Sequence, residues 1–298
     1  MPDTPSPAKV AADLVRLLDL QKIDPSPASP AAVAAYRGGT APAPRGHVFG
    51  GQVMGQAVVA TGRTVPEGRH IHSMYSYFLA PGRTDVPIDF TVDALRDGGS
   101  FSVRRVLASQ GEETIFAMTA SFQKRQDGFE HEVTAPPAPD PEGLPTTADV
   151  LAGIEHPVAR FWSEQRPIDI RHVTDPIYVR PDSSGSDAQL VWMRTIAPIT
   201  APPLVHDAVL AFASDYTPFE PILRRHGLTW TTPGLRMATV NHAIWWHRHV
   251  DADQWLLYEQ TSPSASGGRG LTTGRMFDRE GALVATVTQE GMIRQKRV

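Results

Sequence analysis

Residues 283–289 read Leu-Val-Ala-Thr-Val-Thr-Gln, and residues 115–121 read Ile-Phe-Ala-Met-Thr-Ala-Ser. Both are rich in apolar and β-branched residues, which is typical of strands, and each closes a similar run of a helix followed by several strands. The chain is therefore predicted to contain one structural unit twice. If the two stretches are aligned end to end, Ser121 of the first copy corresponds to Gln289 of the second. A polar group present in one copy only is what a site used once per chain would leave.

Hydrophobic spacing and turn residues predict the elements of both copies. An amphipathic helix over 8–20 comes first, and a connector rich in proline and alanine follows over 25–44. The first copy is predicted to have a helix from residue 48 and strands over 72–79, 88–95, 101–110 and 114–123. A helix is predicted over 147–165. The second copy is predicted to have a helix over 207–216 and strands over 189–196, 235–246, 255–262, 269–278 and 282–294.

The helix of the first copy contains glycines that cost it stability. Gly50, Gly51 and Gly55 each weaken a helix, so their presence predicts that another backbone approaches this helix closely.

These patterns predict an α+β fold, in which each copy wraps a curved antiparallel sheet around a central helix. The two sheets are expected to join into one continuous sheet. The predicted organisation is an N-terminal helix and arm over 1–35, a first, non-catalytic copy over 36–125, a linker over 126–186 and a second, catalytic copy over 187–298.

Composition excludes several classes of function. The formal net charge of the 298 residues is -4 and the 28 lysines and arginines are scattered, which argues against a nucleic-acid partner. Cysteine is absent, so disulfides, thiolate metal sites and a cysteine nucleophile are ruled out. No signal peptide and no apolar stretch of about 20 residues is present, so we expect a cytoplasmic protein without a membrane span.

Three polar residues of the second copy occupy positions where apolar ones are expected. Asp215 lies on the apolar stripe of its helix, and Gln289 continues the core-facing parity of its strand. Thr239 lies in a strand whose two faces are both mostly apolar, and period-two alternation places it on the face opposite His242. The three side chains are predicted to meet at one point.

An aspartate, a hydroxyl and a carboxamide could together hold one water molecule and aim it at an electrophile. Burial raises the pKa of an aspartate, so Asp215 could act as a general base near neutral pH, while Thr239 and Gln289 supply hydrogen-bond donors and acceptors. Each residue alone also fits an ordinary structural role, because buried polar groups are usually just hydrogen-bonded.

Other chemistries lack their sequence signals. The G-x-S-x-G turn of serine hydrolases, the P-loop and the dinucleotide fingerprint are all missing. A metal site is not expected, since strand parity places His242 on the face opposite His247 and His249. We therefore predict an enzyme without a cofactor or metal.

Eight stretches in order along the chain resemble the acyl-CoA thioesterase II family, the TesB-like double-hotdog hydrolases. They are FGGQVMGQA from Phe49, IHSMYSYFLAPG from Ile71, LRDGGSFSVRRV from Leu95, MTASFQ from Met118, FASD from Phe212, ATVNHAIWWHR from Ala238, WLLYEQTSPSASGGRG from Trp255 and VTQEG from Val287. Many relatives have aspartate-histidine-serine where this chain has Asn241-His242-Ala243. The resemblance implies a double hotdog that hydrolyses medium- to long-chain fatty acyl-CoA, with Asp215, Thr239 and Gln289 ordering the attacking water.

Two alternatives stay open. A hotdog lyase that hydrates or dehydrates an acyl thioester would need a catalytic histidine paired with an acid on the helix. A protein that binds acyl-CoA without turnover would be expected to have lost one of the three polar residues, and all three are present. The resemblance and the open sheet edges also imply a homo-oligomer, a dimer or a tetramer.

Overall fold

The structure is a computed structural model and describes residues 4–26, 31–43 and 46–296. Parts of the predicted connector, residues 27–30 and 44–45, and residues 1–3 and 297–298 at the termini lie outside the described residues. Within the described residues the strands are β1 (Gln21–Ile23), β2 (Ala32–Gly38), β3 (Arg69–Phe78), β4 (Ile88–Asp97), β5 (Phe101–Gln110), β6 (Glu113–Lys124), β7 (Ile168–His172), β8 (Ala188–Thr195), β9 (Leu235–Trp246), β10 (Leu256–Ser266), β11 (Arg269–Phe277) and β12 (Leu283–Gln295). The α-helices are α1 (Pro7–Leu18), α2 (Gly50–Gly62), α3 (Thr147–Val150), α4 (Pro157–Glu164), α5 (Pro203–Ser214) and α6 (Glu220–Arg225).

All these strands form one antiparallel sheet in the order β1-β2-β4-β5-β6-β3-β9-β12-β11-β10-β8-β7. The order reads outward from the centre in the same way on both sides, so each half is a copy of the other. The copies join where β3 pairs with β9, from Ser73 opposite Trp245 to Tyr77 opposite Asn241. The predicted α+β fold with one continuous sheet around two helices is confirmed.

The two long helices α2 and α5 lie in the core, and both are apolar on nearly every side. All residues of α2 from Gly51 to Thr61 are buried, and so are all residues of α5 from His206 to Ser214. Helices that are apolar all round must be enclosed. The sheet does this, since one apolar cluster contains side chains of both helices and of both halves of the sheet.

The glycines of α2 allow it to lie directly against α5. A Cβ atom placed on Gly51 would lie 2.3 Å from the backbone oxygen of Phe212, and one on Gly55 would lie 3.0 Å from that of Ala208. Residue numbers rise along α2 as they fall along α5, so the helices run antiparallel. The predicted close approach to the first helix is therefore present, and the approaching backbone is that of α5.

Three predicted segments differ from the structure. The alanine-rich strand β2 lies in the predicted connector and is held by pairing with β4. It was not predicted as a strand because alanine has little strand propensity. Strand β7 lies in the predicted linker 126–186 and pairs with β8. The helix predicted over 147–165 is two helices, α3 and α4, separated at Gly153, whose φ is 79°, and at Pro157.

These strands change where the two copies begin. The boundary predicted between residues 35 and 36 falls inside β2, and the boundary at 186–187 leaves out β7. Counted by paired strands, the first copy runs from β1 to β6 and the second from β7 to β12. The helix predicted over 207–216 begins four residues earlier, at Pro203, and ends at Ser214.

The ladder registers also correct the alignment of the two closing strands. Gln289 in β12 lies opposite His242 in β9, and Ala120 in β6 lies opposite Met74 in β3. In both copies the partner strand has a bulge next to this pair, between Thr239 and Asn241 in β9 and between Ile71 and Ser73 in β3. The residue corresponding to Gln289 is therefore Ala120 and not Ser121. End-to-end alignment was wrong by one residue, because the stretches repeat in type and not in identity.

Replacing Gly51 by alanine tests the contact between the helices. The new methyl group would meet a backbone oxygen that cannot turn away, so we expect the free energy of unfolding to fall by about 1–3 kcal/mol, as overpacked cores do. Gly99→Ala is the control, since no atom lies within 4 Å of the added Cβ. Chemical denaturation of the two variants measures the difference. Equal stabilities would contradict the close packing described above.

Candidate active site

The side chains of Asp215, Thr239 and Gln289 meet where the C-terminal end of α5 faces β9 and β12. The Thr239 hydroxyl donates to Oδ1 of Asp215 over 3.1 Å. The Gln289 amide nitrogen donates to Oγ1 of Thr239 over 3.3 Å. The structure thus brings together all three residues predicted from the sequence, and each comes from a different element.

A β-bulge places Thr239 in this group. In the ladder between β9 and β12, Asn241 lies opposite Glu290 but Thr239 lies opposite Gly291, so Val240 is an extra residue. One extra residue reverses the alternation, and Thr239 comes to the same side as His242 and Ile244. The predicted placement of Thr239 on the face opposite His242 is wrong for this reason.

The hydrogen bonds continue to two residues that the sequence analysis did not assign to the site. Oε1 of Gln289 lies 2.6 Å from Nδ1 of His242, and Nε2 of His242 lies 2.9 Å from the Ser214 hydroxyl. His242 and Ser214 are both 0% exposed. A signal for His242 was present in the repeat, because the corresponding residue of the first copy is the apolar Met74, but it could be found only with the bulge in place.

Asp215 lies between the two copies. It caps the C-terminal end of α5, and its carboxylate accepts a hydrogen bond from the backbone N–H of Gly51 in the first turn of α2. A Cβ atom on Gly50 would lie 2.6 Å from Oδ2 of Asp215, so only glycine leaves room for the carboxylate here. The N-terminal end of a helix carries a partial positive charge, which favours a nearby anion. The antiparallel contact of the helices therefore supplies part of the site from the first copy.

Three aromatic rings pack together near the residues of the site. Phe49 stacks on Tyr216 with 4.5 Å between ring centroids and meets the edge of Phe212 at 5.2 Å. Phe49 precedes α2, whereas the other two rings flank Asp215 along the chain. Asp215 itself is only 8% exposed.

Burial decides the protonation of Asp215. It raises the pKa of the carboxyl from 3.8 to about 7, although the hydrogen bonds from Thr239, from the Gly51 backbone and from Gln289 each lower this pKa. Desolvation therefore outweighs the stabilising donors. A carboxyl group with a pKa near 7 can exchange a proton with water at neutral pH.

The other histidines considered in the sequence have separate partners. His247 lies within hydrogen-bonding distance of the Thr286 hydroxyl, and His249 lies 3.5 Å from carboxylate oxygens of Asp207 and Asp251. Across residues 4–26, 31–43 and 46–296, no three His, Asp or Glu side chains are grouped so that they could hold a metal ion. None of the helices in these ranges is long and apolar enough to cross a membrane.

Solved structures share this architecture. The acyl-CoA thioesterase II TesB2 from Mycobacterium marinum superimposes with a TM-score of 0.75 at 36% identity, over 95% of this chain and 98% of that one. A protein with a hotdog fold from Alicyclobacillus acidocaldarius superimposes with a TM-score of 0.75 at 18% identity, over 96% of this chain and 99% of its own. The fold is a double hotdog.

Sequence comparison identifies the family. Residues 40–123 match the acyl-CoA thioesterase N-terminal domain, and residues 163–292 match acyl-CoA thioesterase. Acyl-CoA thioesterase 2 of Haemophilus influenzae is 35% identical, with 95% of this chain and 97% of that protein covered. Human acyl-coenzyme A thioesterase 8 is 35% identical, with 85% and 82% covered. The chain belongs to the acyl-CoA thioesterase family of thioester hydrolases.

The raised pKa of Asp215 predicts how stability depends on pH. Between pH 3.8 and about 7 the folded protein keeps a proton on this carboxyl that the unfolded chain releases, so the contribution of Asp215 to wild-type stability falls as pH rises through this window. The side chain in Asp215→Asn cannot ionise. Within this window, the free energy of unfolding of the variant minus that of wild type should therefore increase by about 1.4 kcal/mol per pH unit.

Denaturation of both proteins at several pH values measures this gain. Asp97→Asn is the control, because a hydrogen bond from Ser102 lowers the pKa of Asp97. For Asp97 the folded and unfolded states differ in protonation only below the window, so its difference from wild type should stay constant within it. A constant difference for Asp215→Asn as well would contradict the raised pKa.

Proposed function

We propose that this protein hydrolyses fatty acyl-CoA of medium to long chain to the free acid and CoA, by direct attack of water. The observation that carries this proposal is the meeting of Asp215, whose pKa is raised to about 7, with Thr239 and Gln289. Acyl-CoA as substrate is supported by the names of the relatives in Haemophilus influenzae and human.

The water is held by the three polar side chains. Asp215 accepts one of its protons, and the Thr239 hydroxyl and the Gln289 amide fix its position. As the water oxygen attacks the thioester carbonyl carbon, its proton passes to Asp215 and the carbonyl oxygen becomes an oxyanion. The partial positive charge at the N-terminal end of α2, which lies against Asp215, favours this negative charge.

The same carboxyl completes the reaction. When the oxyanion collapses, the bond between carbon and sulfur breaks and the CoA sulfur leaves with the electron pair. The proton held by Asp215 is available for the leaving thiolate, and Asp215 is then ready for the next water. No bond between enzyme and acyl group is needed, so a carboxyl with a pKa near neutral can serve as base and then as acid.

The hotdog lyase is less well supported by this geometry. A lyase of this fold needs a histidine that can exchange a proton with the substrate. His242 lies close to the site, but its two ring nitrogens face Gln289 and Ser214 and its side chain is 0% exposed. Burial also lowers the pKa of His242 to about 4. This histidine is therefore placed to hold other groups and not to act on a substrate.

Release of free thiol from acyl-CoAs of increasing chain length, by wild type and Asp215→Asn, tests the proposal. We expect wild type to turn over, with kcat/KM rising with pH to a plateau and a midpoint near the Asp215 pKa of about 7. Asp215→Asn should lose at least about 100-fold in kcat, because the base is gone.

Asp207→Asn is the matched control, since Asp207 lies on the same helix, about two turns before Asp215, and beside His249. Its activity should stay close to that of wild type. Comparable turnover by Asp215→Asn would refute the mechanism. With an enoyl-CoA as a further substrate, loss of its absorbance without thiol release would favour the lyase. Binding of acyl-CoA without either reaction would favour the binding protein.

Alanine substitutions of Thr239 and Gln289 test whether both hold the same water. Each should lower kcat strongly, and the double variant should be hardly worse than either single variant, because one lost contact already releases the water. Steady-state kinetics of the three variants measures this coupling. Losses that multiply would mean that the two residues act on separate steps.

The cytoplasmic location and the homo-oligomer, a dimer or a tetramer, stay predictions. Sedimentation and localisation of the tagged protein would test them.

A further inference from the structure

Five buried or half-buried side chains form a continuous chain of hydrogen bonds that starts at the last residue of α5 and ends at the residue that caps this helix. It runs from Ser214 to His242, Gln289, Thr239 and finally Asp215, with 2.9, 2.6, 3.3 and 3.1 Å between the hydrogen-bonding atoms. Four of these side chains, all but Thr239, are less than 9% exposed. Water therefore has little access to these hydrogen bonds. Each donor along the chain must face an acceptor, so the direction of one bond fixes the direction of the next.

The carboxylate fixes these directions. Ionised Asp215 can only accept, so the Thr239 hydroxyl gives its single proton to it and must itself accept from Gln289. Gln289 then presents its NH2 group to Thr239 and to the carboxylate, and turns its oxygen to His242. Nδ1 of His242 consequently carries the proton, and its Nε2 accepts from Ser214.

The opposite arrangement removes the donors from the site. Ser214 can also donate to the backbone oxygen of Ala211, at 2.9 Å. If it does, His242 carries its proton on Nε2, and its bare Nδ1 repels the Gln289 oxygen. The carboxamide would then turn over and place that oxygen against Thr239 and the Asp215 carboxylate. The carboxamide orientation and the histidine tautomer are therefore coupled.

We propose that His242, in its neutral form with the proton on Nδ1 and with Nε2 accepting from Ser214, is a positioning residue that keeps the NH2 group of Gln289 turned toward Asp215. This inference rests on the proposed function for its consequence in catalysis. His242 acts through Gln289 and does not touch the substrate. The first copy has Met74 at the corresponding place and Ala120 in place of Gln289, so donor and carboxamide are both absent there.

The experiment compares His242→Met with His242→Asn. Methionine fills the space without a donor, as in the first copy, whereas the asparagine amide can place an N–H close to the position of Nδ1. We expect His242→Met to lower kcat by about 10- to 100-fold with little change in KM, as misplacement of a catalytic group does. His242→Asn should recover a large part of this loss.

The same substitutions in a Gln289→Ala background separate positioning from mere packing. Without the carboxamide, His242→Met should cause almost no further loss in kcat, whereas damage to packing would lower activity in both backgrounds alike. Equal losses in the two backgrounds, or an asparagine variant no better than methionine, would overturn the proposal. If wild type releases no thiol from any acyl-CoA, the proposed function has failed and not this inference.

A spectroscopic measurement tests the tautomer without any turnover. In protein labelled with 15N-histidine, the ring signals that disappear in His242→Asn belong to His242. They should show a protonated Nδ1 and a bare Nε2 in wild type at a pH well above 7, where Asp215 is ionised. Ser214→Ala removes the partner of Nε2 in both tautomers, so the proton should stay on Nδ1, where Gln289 still accepts it. A proton on Nε2 of wild-type His242 would overturn the proposal even if every variant were inactive.

Discussion

The contact between α2 and α5 is the constraint on which the other features depend. Helices usually pack with 8–10 Å between their axes because side chains separate them. Here glycines let the backbone of α2 come within van der Waals reach of the backbone of α5. This antiparallel contact sets the N-terminal end of one helix against the carboxylate at the C-terminal end of the other, and leaves space for it. The same glycine-mediated contact therefore determines both how the two helices pack and what surrounds the Asp215 carboxylate.

Opposing effects tune the carboxylate. Burial favours the neutral acid, while Thr239, Gln289 and the Gly51 N–H favour the anion. Burial outweighs these donors, and the pKa comes to lie near neutral. A more open site would leave the carboxylate a weak base, and a drier one without these donors would keep it protonated. In the proposed mechanism this balance is what lets Asp215 act as a base near neutral pH.

Much of the fold could be predicted from the sequence, because long apolar runs between turn residues form strands and glycines inside a helix indicate a close backbone contact. Strand β2 could not be found, since its alanines gain strand structure only from pairing with β4. The three polar residues were recognised because each stands at a place where a core residue is expected. His242 was missed because the bulge at Val240 shifts the alternation, and a bulge is a property of two paired strands and not of one sequence.

The first copy keeps the same bulge, next to His72, although the buried side chains on either side of it, Ile71 and Met74, are apolar. A bent strand costs ladder hydrogen bonds wherever it occurs, and in this copy it aims no reactive group into the core. The two copies thus share the shape of this backbone but not the polar side chains beside it. The bulged strand persists in both halves of the chain, while His242 and Gln289 of the second half correspond to Met74 and Ala120 of the first.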